Sequence, residues 1–391
     1  MKNFAFFLSF VFVLSFYCPV LSESEEGITD KEILIGVILD ADGSSSVPGI
    51  EYVKGMKCYM DYVNKNGGIN GRKIKLIIKD DDYEPNKTFS ALTELIEKDK
   101  VLALCNIVGT PTNSIIKPLI NSKKIPVIGP ITGDESFRLS TERYYFPVRG
   151  SYPTEAYKIV DYLVKEMKLT KISIMYQDDK FGLSGVRAVM KRLKEYNLEL
   201  CSKAKYDRGK NMTDEDFNII KESAPEAVLL MAVGMPALDY LKKAQAANFK
   251  PVTAGFSPVF IGKDTNKMIE EINSMCDGFI ISQVTPNLDA DTKPRFMNVY
   301  LSEIQNYGKP NPSSYEGFIN LRVLCWGLEE CKENITRETL VKSLEGIGPG
   351  KIGSGMELSY GENLRDGARR TFLAKIIKNK LVWINDAAFI K

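Results

Sequence analysis

The amino-acid sequence predicts an α/β protein of two doubly wound, Rossmann-like lobes. Two observations lead there. From residue 33 nearly to the end, short apolar runs alternate with amphipathic stretches, and such alternation means parallel sheets with right-handed crossovers. The apolar runs are also mostly continuous rather than alternating, as in strands covered by helices on both faces. A length of 391 residues is too great for one small core and suits two lobes or more.

The elements follow in order. Lys2, an apolar stretch over 4–16 and a cleavage-like Val20-Leu21-Ser22 read as a secretory signal peptide over residues 1–22. A retained anchor is the competing reading; a lipid-modified Cys18 is disfavoured by the bulky Tyr17 before it. Strands are expected at ILIGVIL (33–39), IKLIIKD (74–80), VLALCNIV (101–108), IPVIG (125–129), KISIMY (171–176), AVLLMAV (227–233) and GFIISQV (278–284). Helices are expected at 49–66, 86–99, 154–168, 181–196, 236–248 and 314–330. In the first of these, Tyr52, Met56, Tyr59, Met60 and Val63 recur at helical spacing, and NGGINGR (66–72) ends it with three glycines. The alternation fills two blocks, 30–148 and 149–282, with YFPVRG (145–150) as a first crossing between lobes.

Composition removes several function classes. With 52 basic and 50 acidic residues the net charge is +2, not the cationic excess of a dedicated nucleic-acid binder. There is no histidine, which closes the Ser-His-Asp triad, the Cys-His dyad and every His-ligated metal site. No CxxC pair supports zinc or redox chemistry. Cys58, Cys105 and Cys325 lie in apolar patterns and read as buried thiols, whereas Cys325 and Cys331 would pair only if a helix ended between them. Neither GxxxxGK[ST] nor a strand-linked GxGxxG occurs. No cofactor, no metal and no catalytic residue is expected.

Ligands of open parallel sheets bind beyond the carboxyl ends of the strands. There the sequence has DADGSSSVPG (40–49), GTPTN (109–113) and PITGDESF (130–137), each expected to open into a helix. Gly109, Thr110 and Thr112, with Thr132 and Gly133 opposite, are the candidate holders of a carboxylate, through main-chain N–H groups and hydroxyls at a helix N-terminus. The alternative, that Thr110 and Thr112 only cap the helix, stays open. The second lobe offers QDDKFG (177–182), VGMP (233–236) and GFSPVF (255–260), in which Phe181, Phe256 and Phe260 would wall an apolar pocket and Ser257 would add a polar contact, unless Phe181 simply packs at the start of its helix. The run Asp80–Asp82 reads as a solvated, dipole-favoured start of a helix rather than a metal site. The sequons at Asn86, Asn211 and Asn334 matter only in a eukaryotic secretory pathway.

Six segments together resemble the bacterial periplasmic substrate-binding proteins of the branched-chain amino-acid (Leu/Ile/Val-binding) class that serve ABC transporters. They are ITDKEILIG (28–36), NKNGGINGRKIKLIIKDDDYEP (64–85), VGTPT (108–112), PVIGPITG (126–133), YQDDKFG (176–182) and SYEGF (314–318), in the family's order. The resemblance implies the type I periplasmic binding fold, with lobes of 30–148 plus 283–369 and 149–282 plus 370–391 joined by three crossing segments. It implies a ligand carboxylate on the loops of Gly109–Thr112 and Ile131–Gly133, and closure through Phe181, Val233 or Gly234, and Ser257. Two departures stand out. Ser257 occupies the place of the acid that meets a ligand ammonium in amino-acid binders, and Pro48 the place of an aromatic. The first-lobe disulfide is also missing, since its positions match Tyr83 and Val108.

The expectation is therefore a non-enzymatic, periplasmic solute-binding protein whose partners are a small-molecule ligand and a membrane permease of an ABC transporter. One rival is a ligand-sensing subunit of the same fold for a receptor or kinase; a fused receptor would need a spanning helix after Lys391. The other is an exported enzyme using Asp178 and Asp179, although adjacent acids on one loop rarely face a common substrate.

Overall fold

A computed structural model describes residues 25–41 and 49–384. The signal peptide expected over 1–22 and the position of Pro48 lie outside the described residues. The chain alternates through β1 (Glu32–Ile38), α1 (Ile50–Lys65), β2 (Lys73–Lys79), α2 (Pro85–Glu97), β3 (Ala103–Cys105), α3 (Thr110–Lys123), β4 (Val127–Ile128) and β5 (Tyr145–Phe146). It continues with α4 (Tyr152–Asp161), β6 (Ile172–Gln177), α5 (Lys180–Lys194), β7 (Leu200–Tyr206), α6 (Asp214–Glu222), β8 (Ala227–Met231), α7 (Gly234–Ala246), β9 (Val252–Gly255), α8 (Thr265–Met275) and β10 (Ile280–Gln283). The last part holds α9 (Arg295–Glu303), α10 (Pro312–Glu330), α11 (Arg337–Glu345), β11 (Leu358–Gly361), β12 (Leu364–Ala368), β13 (Phe372–Ile377) and β14 (Lys380–Ile384).

Two sheets organise these elements. The first runs β2-β1-β3-β4-β5, all parallel. The second runs β14-β13-β10-β9-β8-β6-β7, parallel from β7 to β10 with the antiparallel β13 and β14 added at one edge. β11 and β12 form a separate antiparallel pair. The parallel parts share one winding order, which gives the two expected α/β lobes.

Local chemistry sets the boundaries. α1 buries Tyr52, Met56, Tyr59 and Val63 along one stripe and stops where Gly67 and Gly68 adopt positive φ. Pro85 starts α2 at a position needing no amide hydrogen, and the Asp179 carboxylate caps α5 by accepting from the Phe181 and Gly182 amides. α10 is buried on nearly every side, as a helix between layers must be. It crosses α1 where both helices carry glycine: a Cβ on Gly55 would lie 1.8 Å from the Ser314 carbonyl oxygen, and one on Gly317 2.3 Å from that of Tyr52.

Several expectations need correction. The run 101–108 is a strand only over Ala103–Cys105. The Arg337 guanidinium, not a neighbouring strand, takes the Val101 and Leu102 carbonyls, and Asn106 at φ 56° turns the chain out of the strand. The loop 130–137 opens only into a single 3-10 turn, Glu135–Phe137, capped by Asp134. The Asp80–Asp82 run is not simply solvated: Asp81 is buried and accepts from the Thr88 hydroxyl at 2.7 Å and the Tyr83 amide at 3.0 Å. Cys331 sits at the C-cap of α10, and both it and Cys325 are free thiols, because the helix runs unbroken between them.

Candidate functional site

A shared strand order gives each lobe a switch point, between β1 and β3 and between β6 and β8, where successive crossovers leave to opposite faces. Ligand clefts form beyond the strand ends at such points. In the first lobe Val108 and Ile131 form a parallel bridge, the Ile131 amide donates to Ile107 at 2.8 Å and the Gly109 amide to Ile131 at 3.1 Å. These bonds lock the loops after β3 and β4 side by side. The hydroxyls of Thr110 and Thr132 consequently lie 2.8 Å apart, both buried. Thr110 begins α3 and no side chain caps that helix, so its positive end faces this pair.

Gly109 precedes it at φ 104°, and a Cβ there would lie 2.3 Å from the Tyr83 ring; only glycine meets both demands. Gly133 is pressed in the same way, 2.6 Å from Tyr152 by the same construction, and its carbonyl accepts from the Tyr152 amide at 2.8 Å. Burial raises the pKa of the Tyr152 phenol, against the opposing pull of Arg149, the Gly133 main chain and the Thr110 hydroxyl.

Thr112 departs from expectation. Its hydroxyl donates backward to the Val108 carbonyl and lies 2.9 Å from that of Gly109. A threonine in a first helical turn has those carbonyls within reach, and the bonds turn it away from the loop mouth. It neither caps α3 nor joins the Thr110–Thr132 pair.

From the second lobe, Phe181 sets its ring edge-on to Tyr152, centroids 5.5 Å apart. Val233 and Gly234 stand at the start of α7: the Val233 amide donates to the Tyr206 hydroxyl at 3.3 Å, which donates to Gln177 at 3.3 Å. The Gln177 amide in turn reaches the Tyr83 hydroxyl of the first lobe at 3.5 Å. Arg208 and Glu84, 3.4 Å apart, make a second contact between lobes. Phe256 is buried in the same core cluster as Phe181, whereas Phe260 belongs to a different one, packed on α8.

Ser257 leads to a residue the sequence did not single out. Its amide and hydroxyl both donate to the Glu155 carboxylate, at 2.8 and 3.1 Å, and the Ser282 hydroxyl adds a third bond at 2.5 Å. Glu155 is 0% exposed. Burial pushes its carboxyl above the ordinary range, against the opposing pull of Arg149 and of these donors. Arg149, also buried, makes a two-point pair with Glu316 at 2.8 and 2.9 Å. Its Nη1 has no hydrogen-bond partner among the described residues. A signal for Glu155 was present: it shares one face of α4 with Tyr152, Ala156 and Ile159, a charge inside an apolar stripe. Asp178 and Asp179 do separate work, the first pairing with Lys205 at 2.7 Å and the second capping α5.

A model of the periplasmic binding protein family matches residues 32–377. The chain belongs to that family. This periplasmic binding protein is 27% identical over 192 residues to an amino acid binding protein of Pseudomonas aeruginosa, covering 48% of this chain and 50% of that one. The chain spans about half the length of the curated relatives it matches. Among solved structures it is similar to a substrate-binding periplasmic protein from Ralstonia solanacearum, with a TM-score of 0.82 and 24% identity over 90% of this chain and 99% of that one. It is also similar to a branched-chain amino-acid ABC transporter protein from Thermus thermophilus with bound valine, with a TM-score of 0.80 and 18% identity over 92% and 96% of the two chains. These likenesses speak for the fold, that of type I periplasmic binding proteins.

Proposed function

We propose that this periplasmic binding protein is exported through its N-terminal signal and captures a branched-chain amino acid, or a related small carboxylate or amide, between its lobes for an ABC-transporter permease. The observation that carries this reading is the buried Thr110–Thr132 hydroxyl pair at the uncapped start of α3. Such a pair beside main-chain N–H groups suits a carboxylate without a counter-charge from a side chain. Gly109, Ile131 and Gly133 form the first-lobe wall, and Phe181, Val233, Gly234 and Ser257 close from the second. A ligand that touches both walls binds the closed form better and draws the population toward it, and the closed form is what a permease would engage. No catalytic group is assigned.

Thermal-shift measurements over amino acids, aromatic acids and short amides test this. A solute at 100 times its dissociation constant adds ~2.7 kcal/mol of stability. Chemical conversion of a stabilising solute by the pure protein would overturn the reading.

A further inference from the structure

Ser257 supplies no charge where an amino-acid binder needs an acid, but the chain folds a carboxylate onto that very residue. The Glu155 oxygens accept from the Ser257 amide, the Ser257 hydroxyl and the Ser282 hydroxyl. A carboxylate has about four acceptor positions, so one, on Oε1, is left over. The charges nearby do not balance. Glu155 and Glu316 share one guanidinium, and Arg149 gives its Nε and Nη2 to Glu316 alone. The remaining nitrogen, Nη1, is buried without a partner among the described residues, although Arg149 is the foremost charge acting on both Glu155 and Tyr152. Arg138, the other buried guanidinium at this crossing, is occupied by the main-chain carbonyls of Arg149, Gly150 and Asp366.

We propose that Glu155 is the acid that holds the ammonium group of the solute, and hence that the solute is a zwitterionic amino acid rather than a simple carboxylate or an amide. The inference rests on the inter-lobe cleft being a solute site. A zwitterion answers both imbalances: its ammonium meets the spare acceptor of Glu155, and its carboxylate meets Thr110, the α3 amides and Arg149 Nη1. A simple carboxylate would add a second negative charge beside an uncompensated one. An amide would bring no charged acceptor to Arg149 Nη1 and no cation to Glu155.

The test is calorimetric titration of the full chain with each standard L-amino acid and with the matching acid that lacks the amino group, for instance L-leucine against 4-methylpentanoate. The unaltered protein should bind at least one amino acid ~100-fold or more tightly than its partner acid. In Glu155→Gln that preference should vanish, through loss of amino-acid affinity, while affinity for the partner acid stays level. Equal affinity for the two solutes in the unaltered protein overturns the inference even if the variant fails to fold. So does a folded Glu155→Gln protein that keeps the preference. If the unaltered protein binds only solutes without an amino group, the cleft reading survives and Glu155 does not have this role; if it binds no small solute at all, the cleft reading fails with it.

Discussion

Arg149 and Glu316 stand 167 residues apart in sequence and meet through two parallel N–H···O bonds, both side chains almost fully buried. Arg149 lies on the segment leading from β5 to α4, and Glu316 lies in the first turns of α10, the helix packed on α1. The pair therefore ties the path between the two sheets to the core of the first. Its planar two-point geometry fixes direction as well as distance, which a Lys in place of Arg149 would not do.

Removing one partner should be far worse than removing both. Glu316→Gln leaves the guanidinium buried without its counter-charge and should cost ~3–5 kcal/mol, whereas a double change to Arg149→Met and Glu316→Leu should recover most of that loss. Urea unfolding at constant slope measures both. Equal losses in single and double variants would mean that shape, not charge, holds this junction.

The threonines at the start of α3 should behave differently from one another. Thr110→Val leaves the buried Thr132 hydroxyl with only the bond it accepts from the Asp134 amide, so it should cost ~1 kcal/mol without ligand and weaken ligand binding as well. Thr112→Val removes bonds to carbonyls of its own turn and should cost ~1–2 kcal/mol with affinity unchanged. Melting curves with and without a binding solute separate the two effects. Equal loss of affinity in both variants would return Thr112 to the site.

The two-lobed winding was legible because continuous apolar strands and amphipathic helices leave strong periodic signals, as in β1, α1, β6 and α5. β7 was not, since as a strand with one mostly exposed face it places Ser202, Lys203 and Lys205 among its apolar residues. The short α6 and α11 carry mostly polar residues and little stripe to find. Loops with glycine and threonine pointed to the strand ends, and the structure sets those after β3 and β4 side by side. The partners within it did not follow from spacing, because Glu155 meets Ser257 across 102 residues and Ser282 across 127. Only the fold brings α4 against the ends of β9 and β10.

The crossing of α1 and α10 sets a steric limit that substitution can probe. Gly317→Ala would force a methyl carbon to within 2.3 Å of the Tyr52 carbonyl oxygen, a backbone atom with nowhere to retreat. The helices must separate, and the loss should be ~3 kcal/mol. Gly348→Ala is the control: nothing lies within 4 Å of its added carbon, so stability should hold or rise slightly. A Gly317→Ala protein as stable as the control would mean that the two helices are free to shift apart.

Asp81 should give stability a pH dependence of predictable sign. Burial lifts its pKa from 3.8 to about 6, despite the bonds from Thr88 and Tyr83 that favour the charged form. A folded pKa above the unfolded one means that the native state holds the proton more tightly. The resulting stability is fully present below pH 3.8, is lost as pH rises through about 6, and is flat beyond. At 1.36 kcal/mol per unit the change is on the order of 3 kcal/mol. Asp81→Asn cannot titrate, so its unfolding free energy should lack this fall across that window and should overtake the unaltered protein toward neutral pH. Urea titrations at a series of pH values read the difference directly, and parallel curves would refute it. The consequence reaches the cleft: Asp81 holds a turn in which Asp82 and Tyr83 adopt φ of 48° and 58°, and that turn presents the Tyr83 ring to Gly109 and its hydroxyl to Gln177.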